Sequence, residues 1–208
     1  MGEFWESSFI DKQEMWGSKP VDSAISTSEF FKQHGAKNVL IPGFGYGRNA
    51  KIFLDSGMAV TGIEISQTAI DLASKHFGGN VKIHHGSVNL MPFDEERYDG
   101  IYCYALLHLL NQEERKKFIK DCYSQLKSNG YMVFISLSKG DLRFGEGKKI
   151  DDDTFETKHG INLFFYDSDS VKAEFEEYGL IEANEENEPS IQIDNKPPQK
   201  FWKIVCRK

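Results

Sequence analysis

Cysteine is scarce in this chain, and long apolar runs are absent. Its 208 residues hold three cysteines, Cys103, Cys122 and Cys206, without the paired spacing of a zinc or redox motif, so neither a disulfide scaffold nor a thiol-ligated metal is expected. Nothing reaches the length needed to span a bilayer, and the first ten residues lack the basic and apolar regions of a secretion signal. These absences point to a reducing, cytoplasmic setting without membrane insertion. Positive charge is also short, with 25 Lys and Arg against 32 Asp and Glu, so the mean field repels nucleic-acid phosphates and anionic membranes. His84 and His85 lack metal-ligand spacing, and no metal site is expected. A chain of this size with 39% hydrophobic residues buries one sizeable core, and 1–208 reads as a single domain. No pattern fixes an oligomeric state.

What is present is an alternation of short β-rich runs with stretches of helical period, the pattern of βαβ units around a parallel sheet. Val39–Ile41 reads as the first strand, and a helix from Gly47 to Ser56 follows. Ala59–Ile65 is the second strand. Ser66 caps a helix whose Ala69, Leu72, Ala73 and Phe77 share one face. Val81–His85 and Tyr98–Tyr104 read as strands three and four. Asn111 caps a helix that Gly130 stops, and Tyr131–Leu137 is the apolar run of a strand covered on both faces. Lys139–Gly160 reads as a long loop. Asp167 or Asp169 caps a helix ending near Gly179, and Leu180–Ala183 and Lys200–Arg207 are the last strands, joined by the acidic stretch Glu185–Pro198. The expected fold is α/β, a doubly wound, mostly parallel seven-stranded sheet of Rossmann-like type with an antiparallel last strand. Phe4, Trp5, Phe9 and Trp16 stud an arm over 1–20 that acts as a lid or simply anchors onto the core.

The informative motif is Gly43-Phe44-Gly45-Tyr46-Gly47-Arg48-Asn49, a G-x-G-x-G turn between the first strand and its helix. Glycines allow a tight turn and close approach of a ligand. Glu64 ends the second strand about twenty residues later, where a carboxylate can accept hydrogen bonds from both ribose hydroxyls of a nucleoside. Dinucleotide binders need G-x-G-x-x-G, and Arg48 stands where their third glycine falls. The spacing therefore disfavours a nucleotide-linked oxidoreductase and suits a nucleoside cofactor without pyrophosphate, such as S-adenosylmethionine.

These residues, with Phe53-Leu54, Gly57, Val60 and Gly62-Ile63-Glu64-Ile65-Ser66, resemble the class I S-adenosylmethionine-dependent methyltransferases, in the branch of tellurite-resistance protein B and the thiopurine and thiol methyltransferases. The resemblance extends over most of the chain. Gly86-Ser87-Val88 is similar to the adenine-binding segment, Tyr98-Asp99-Gly100-Ile101 with Leu107-His108 to the segment beside the methyl group, and Trp16-Gly17 with Pro20 to an arm closing over the cofactor. It implies cofactor contacts at Gly43, Phe44, Gly45, Gly47, Arg48, Asn49, Glu64, Ile65, Ser87, Val88, Cys103 and Trp16, with S-adenosylhomocysteine as product. Two positions depart from the family pattern. Ile41 replaces an acid near the methionine ammonium, and Ser87 replaces the adenine-contacting acid. A non-catalytic cofactor-binding module is the alternative that these changes raise.

A hydroxyl or ammonium acceptor must lose a proton, so a base is sought. His108, just past strand four, is the catalytic candidate, with a packed structural histidine as the alternative, and Tyr104, close by, could touch substrate with its phenol or simply be core. Lys139, Arg143, His159 and Tyr166, along the 139–166 substrate-side segment, could hold an anionic acceptor or be solvated loop groups. Asn195-Lys196-Pro197-Pro198 faintly resembles the Asn-Pro-Pro-aromatic loop of nucleic-acid amino-methyltransferases but lies far from strand four, where Cys103-Tyr104-Ala105-Leu106 stands. A small-molecule acceptor is expected, with no nucleic acid.

Overall fold

The computed structural model describes residues 2–191 and 197–208, so Asn195 and Lys196 lie outside the described residues. In chain order the elements are α1 (Gly2–Lys12), α2 (Asp22–Gln33), β1 (Asn38–Pro42), α3 (Ala50–Asp55), β2 (Ala59–Glu64), α4 (Gln67–Phe77), β3 (Lys82–His85), β4 (Tyr98–Tyr104), α5 (Gln112–Gln125) and β5 (Leu126–Leu137). Then come β6 (Lys148–Lys149), β7 (Thr154–Glu156), β8 (Asn162–Phe164), α6 (Ser168–Phe175), β9 (Leu180–Glu188) and β10 (Gln199–Arg207).

Seven strands form one sheet in the order β3-β2-β1-β4-β5-β10-β9. The pairs among β1 to β5 are parallel, and β10 runs antiparallel to both its neighbours, as the sequence pattern predicts. The apolar run Tyr131–Leu137 lies in the middle of the sheet. Because side chains alternate along a strand, Val133 and Ile135 face the layer with Phe31 of α2 and Phe53 of α3, while Met132 and Phe134 face Phe118 of α5 and Phe175 of α6.

Caps follow the sequence closely. Ser66 Oγ accepts the Ala69 N–H at 3.1 Å, and Asn111 and Asp167 each form a reciprocal capping box, which satisfies N-terminal amides left without partners in the helix.

Four expectations are corrected. The helix after β1 starts at Ala50, because Gly43, Gly45 and Gly47 all hold positive φ and keep the chain out of helical geometry. Gly130 does not stop α5, since that helix ends at Gln125 and Leu126 already pairs with Tyr98. The segment 139–166 carries the small antiparallel sheet β6-β7-β8, whose strands are too short to show alternation. The acidic stretch is partly strand: Glu185–Glu188 completes β9, where lysines of β10 face it, Lys200 Nζ lying 3.4 Å from Glu185 and Lys203 Nζ 3.8 Å from Glu186.

Helix α2 escapes the sequence pattern, being rich in Ser and Thr, which are modest helix formers. Its start is stabilised from far along the chain. Glu188 accepts the N–H groups of Asp22 and Ser23 at 2.9 and 3.2 Å and the Ser23 hydroxyl at 2.7 Å.

Candidate functional site

The carboxyl ends of β1, β2, β3 and β4 converge at one edge, where parallel sheets place their ligands. Gly43, Gly45 and Gly47 have φ of 71°, 58° and 84°, a left-handed region that side chains disfavour. The Gly43 and Phe44 N–H groups both donate to the Ile63 carbonyl, at 2.9 and 3.0 Å, locking the turn to β2. Phe44 points inward, its ring filling space beside Gly62 and Gly47, where an added Cβ would fall 2.4 and 2.7 Å from it. Phe44 therefore offers a ligand backbone only. Gly45 is different: an added Cβ there would meet nothing within 4 Å except the Phe9 ring, at 3.9 Å.

Glu64 stands beside this turn, 6% exposed. Its carboxylate accepts the N–H groups of Gly45 at 2.7 Å, Ile65 at 2.8 Å and Ser66 at 2.9 Å. Burial pushes its pKa above the usual range, and these bonds pull it back. A protonated carboxyl would turn a donor toward donors, so the arrangement fits the ionised form. The Glu64 carbonyl accepts the Gly86 N–H at 2.8 Å, which brings Ser87 and Val88 alongside. Ser87 Oγ accepts the Asn89 N–H at 3.3 Å and keeps its own proton to donate. An added Cβ on Gly43 would lie 3.3 Å from Leu106, so the turn abuts the segment after β4, where Ala105 holds a strained φ of 53°. Cys103 is fully buried with its thiol held protonated by burial, leaving only its backbone for a ligand. Ile41 is core.

Three motif side chains hold the arm. Tyr46 donates to the Gly17 carbonyl at 2.8 Å and accepts the Trp16 N–H at 3.1 Å, Arg48 donates to the Trp16 carbonyl at 2.8 Å, and Asn49 Oδ1 accepts the Val21 N–H at 3.2 Å. Trp16 lies nearly parallel to Tyr46 with ring centres 6.2 Å apart, and Arg48 sits 5.9 Å over Trp16. Tyr46 carries no signal of this role beyond its place in the motif.

His108 is 5% exposed. Its Nδ1 accepts the Leu137 N–H at 3.3 Å, which places the ring proton on Nε2. Burial above all, with Arg143 adding to it, lowers its pKa to about 3. Such an imidazole is neutral and a weak base, the condition of the packed structural alternative. A histidine whose folded pKa lies below its unfolded value costs stability as pH falls, because the unfolded chain takes up the proton first. Between pH 7 and pH 5 this site should remove about 2 kcal/mol of unfolding free energy. His108→Asn, whose Oδ1 can still accept the amide, should flatten that slope in urea titrations at the two pH values; an unchanged slope would show a charged native His108.

Tyr104 is half-buried at the end of β4, 5.7 Å from the Phe201 ring, and burial followed by Glu188 raises its phenol pKa. The loop groups separate. Lys139 is paired with Asp153 at 2.6 Å and Asp167 at 2.5 Å, and Arg143 Nε with Asp141 at 2.7 Å. Tyr166 is fully buried and donates to Glu174, and His159 is exposed. No group of three or more His, Cys, Asp or Glu among the described residues is placed to hold a metal, and no described helix is long and apolar enough to cross a membrane.

Residues 40–134, from β1 through β5, match the family described as a methyltransferase domain. Glycine/sarcosine N-methyltransferase of Aphanothece halophytica is 29% identical over 72% of this chain and 56% of its own length. Ubiquinone biosynthesis O-methyltransferase of Coxiella burnetii is 28% identical over 50% of this chain and 44% of its own. The chain thus spans about half the length of these curated relatives. A tRNA N(3)-methylcytidine methyltransferase of Drosophila melanogaster is 21% identical over 55% of this chain and 36% of its own length, so the relatives do not set nucleic acid aside. Among solved structures, 1,6-didemethyltoxoflavin-N1-methyltransferase of Burkholderia thailandensis, with its substrate and S-adenosylhomocysteine bound, superposes with a TM-score of 0.74 at 17% identity. That match covers 100% of this chain and 86% of that one. The α/β architecture is the one this chain shares with that solved methyltransferase structure.

Proposed function

We propose that the chain binds S-adenosylmethionine at the glycine turn and transfers its methyl group to a small-molecule acceptor. The observation that carries this reading is the buried Glu64 carboxylate set against Gly45. A carboxylate offers about four acceptor positions, and three are engaged by backbone N–H groups, so one remains for a ribose hydroxyl, with more if the Gly45 bond exchanges. Ile65 and Val88 would flank the adenine, and the Ser87 hydroxyl would donate to a ring nitrogen. Arg48, with one of its five donors used on the Trp16 carbonyl, would meet the carboxylate of the amino-acid tail. When bound, the cofactor supplies a methyl group on a sulfonium, open to in-line attack.

The chain's own part is then positioning and exclusion of water. With His108 neutral and its Nδ1 committed, and with Tyr104 and Cys103 held protonated, the site favours an acceptor that brings its own lone pair. A thiolate or reduced metalloid fits that requirement, as does a small aromatic thiol. The motif residues 43–49 support placement beside the tellurite-resistance and thiopurine branch.

Isothermal titration with S-adenosylmethionine, S-adenosylhomocysteine and NADH tests the cofactor. Micromolar binding of the first two alone is the expected result, and binding of NADH alone would overturn it. Methyl turnover on thiols, tellurite or small aromatics then separates an enzyme from a binding-only module.

A further inference from the structure

We propose that α1, in the seat it occupies here, closes the nucleoside site, so that the docked arm and a bound adenosyl ligand exclude one another, with Glu6 as the latch. The inference rests on the cofactor reading above.

Two contacts place α1 on the surface that reading assigns to the ligand. An added Cβ on Gly2 would lie 3.2 Å from Ile65 Cδ1, at the adenine end, and the Phe9 ring covers the otherwise open side of Gly45, at the tail end. Phe9 is 3% exposed, and Glu64, 6% exposed, lies between the turn and the start of α4, bonded to the N–H groups of Gly45 and Ser66.

The latch is polar and local. Glu6 accepts the hydroxyl of Ser66 at 2.6 Å on one oxygen and that of Thr68 at 2.6 Å on the other, and the Thr68 N–H approaches at 3.3 Å. These bonds, Ser66 first, hold its carboxyl below the usual range. Ser66 thus serves two carboxylates, giving its N–H to Glu64 and its O–H to Glu6. Apolar support is local: Phe9 packs with Tyr46, Ala69 and Leu72, flanked by Trp5 and Met15, and the Phe9 ring lies 5.8 Å from Trp16 and 6.2 Å from Tyr46. His76 adds one ion pair to Glu14 at 2.7 Å.

An isolated helix of eleven residues is marginal in water, so α1 persists by docking, and its release is a local opening below global unfolding. A ligand that needs the open state binds with its intrinsic affinity divided by the open fraction. Raising that fraction from about one in ten to about one in two tightens apparent binding about fivefold.

The test uses S-adenosylhomocysteine with the full chain, Glu6→Ala and Phe9→Ala. Trypsin cleavage after Lys12, followed by mass spectrometry, reports arm opening, and stopped-flow titration reports association. Saturating ligand should speed arm cleavage several-fold in the unaltered chain, and each variant should bind about fivefold tighter with faster association. Protection of the arm by ligand, an unchanged cleavage rate, or weaker binding by both variants would overturn the exclusion while leaving the cofactor reading intact. Absence of binding in all three forms overturns that reading and the proposal with it.

Discussion

Glu64→Ala should lose both ligand and stability, and the two losses have different causes. The substitution removes the acceptor of three buried N–H groups, at Gly45, Ile65 and Ser66, and a buried donor left unpaired costs about 1–3 kcal/mol. Water entering the vacated space recovers part of this, so a net destabilisation of about 3 kcal/mol is expected in urea titration. Separately, loss of a charged acceptor for ribose hydroxyls should weaken S-adenosylhomocysteine binding by about 1.5–3 kcal/mol, or roughly 10- to 150-fold. Calorimetry at a temperature where the variant is folded isolates this second effect. A folded variant that binds normally would reduce Glu64 to a strut of the turn, and the cofactor assignment would lose its main support. The expectation from sequence that Glu64 accepts from ribose hydroxyls carries no sign of the first effect, because backbone N–H partners leave no trace in residue identities.

What was legible in the sequence is what local chemistry encodes. Ser66, Asn111 and Asp167 announce helix starts because capping acts over three residues, and Tyr131–Leu137 announces a central strand because both faces are apolar. The glycine turn and Glu64 were legible because left-handed backbone needs glycine and because strand plus helix fixes their separation. Roles set across long sequence distances were not. Helix α2 is capped by Glu188 of β9, Glu6 of α1 accepts from Ser66 and Thr68 at the start of α4, and no spacing rule links those residues. His108 shows the limit at a single position. Its place after β4 suits a catalytic base, and its packing against the Leu137 amide makes it a neutral acceptor instead. Lys139 and Arg143 read as free cations in the sequence, whereas carboxylates from the same substrate-side segment and from α6's cap engage them.

Arg115 is a buried charge that the sequence hides, sitting among polar residues on α5. Its side chain is 5% exposed and pairs with Glu174, itself 8% exposed, through Nη2 at 3.0 Å and Nε at 3.1 Å. It also donates to the Leu110 carbonyl at 3.0 Å and lies 3.6 Å over the Phe164 ring. One guanidinium therefore joins the end of the β4–α5 connection, strand β8 and helix α6. Arg115→Ala strands the Glu174 carboxylate in the interior with, among the described residues, only the Tyr166 hydroxyl bonded to it, a situation that costs about 3–5 kcal/mol. The pair itself is worth less than that, because both charges gave up water to form it. Arg115→Met combined with Glu174→Leu removes both charges and keeps the volume, so the double variant should recover most of the loss. Equilibrium urea unfolding of the two singles and the double decides the matter. A loss below about 1 kcal/mol in Arg115→Ala would mean that water reaches Glu174, and an additive double variant would mean that the residues act independently. Affinity for S-adenosylhomocysteine should hold in every folded variant, since Glu64 and the glycine turn share no partner with Arg115.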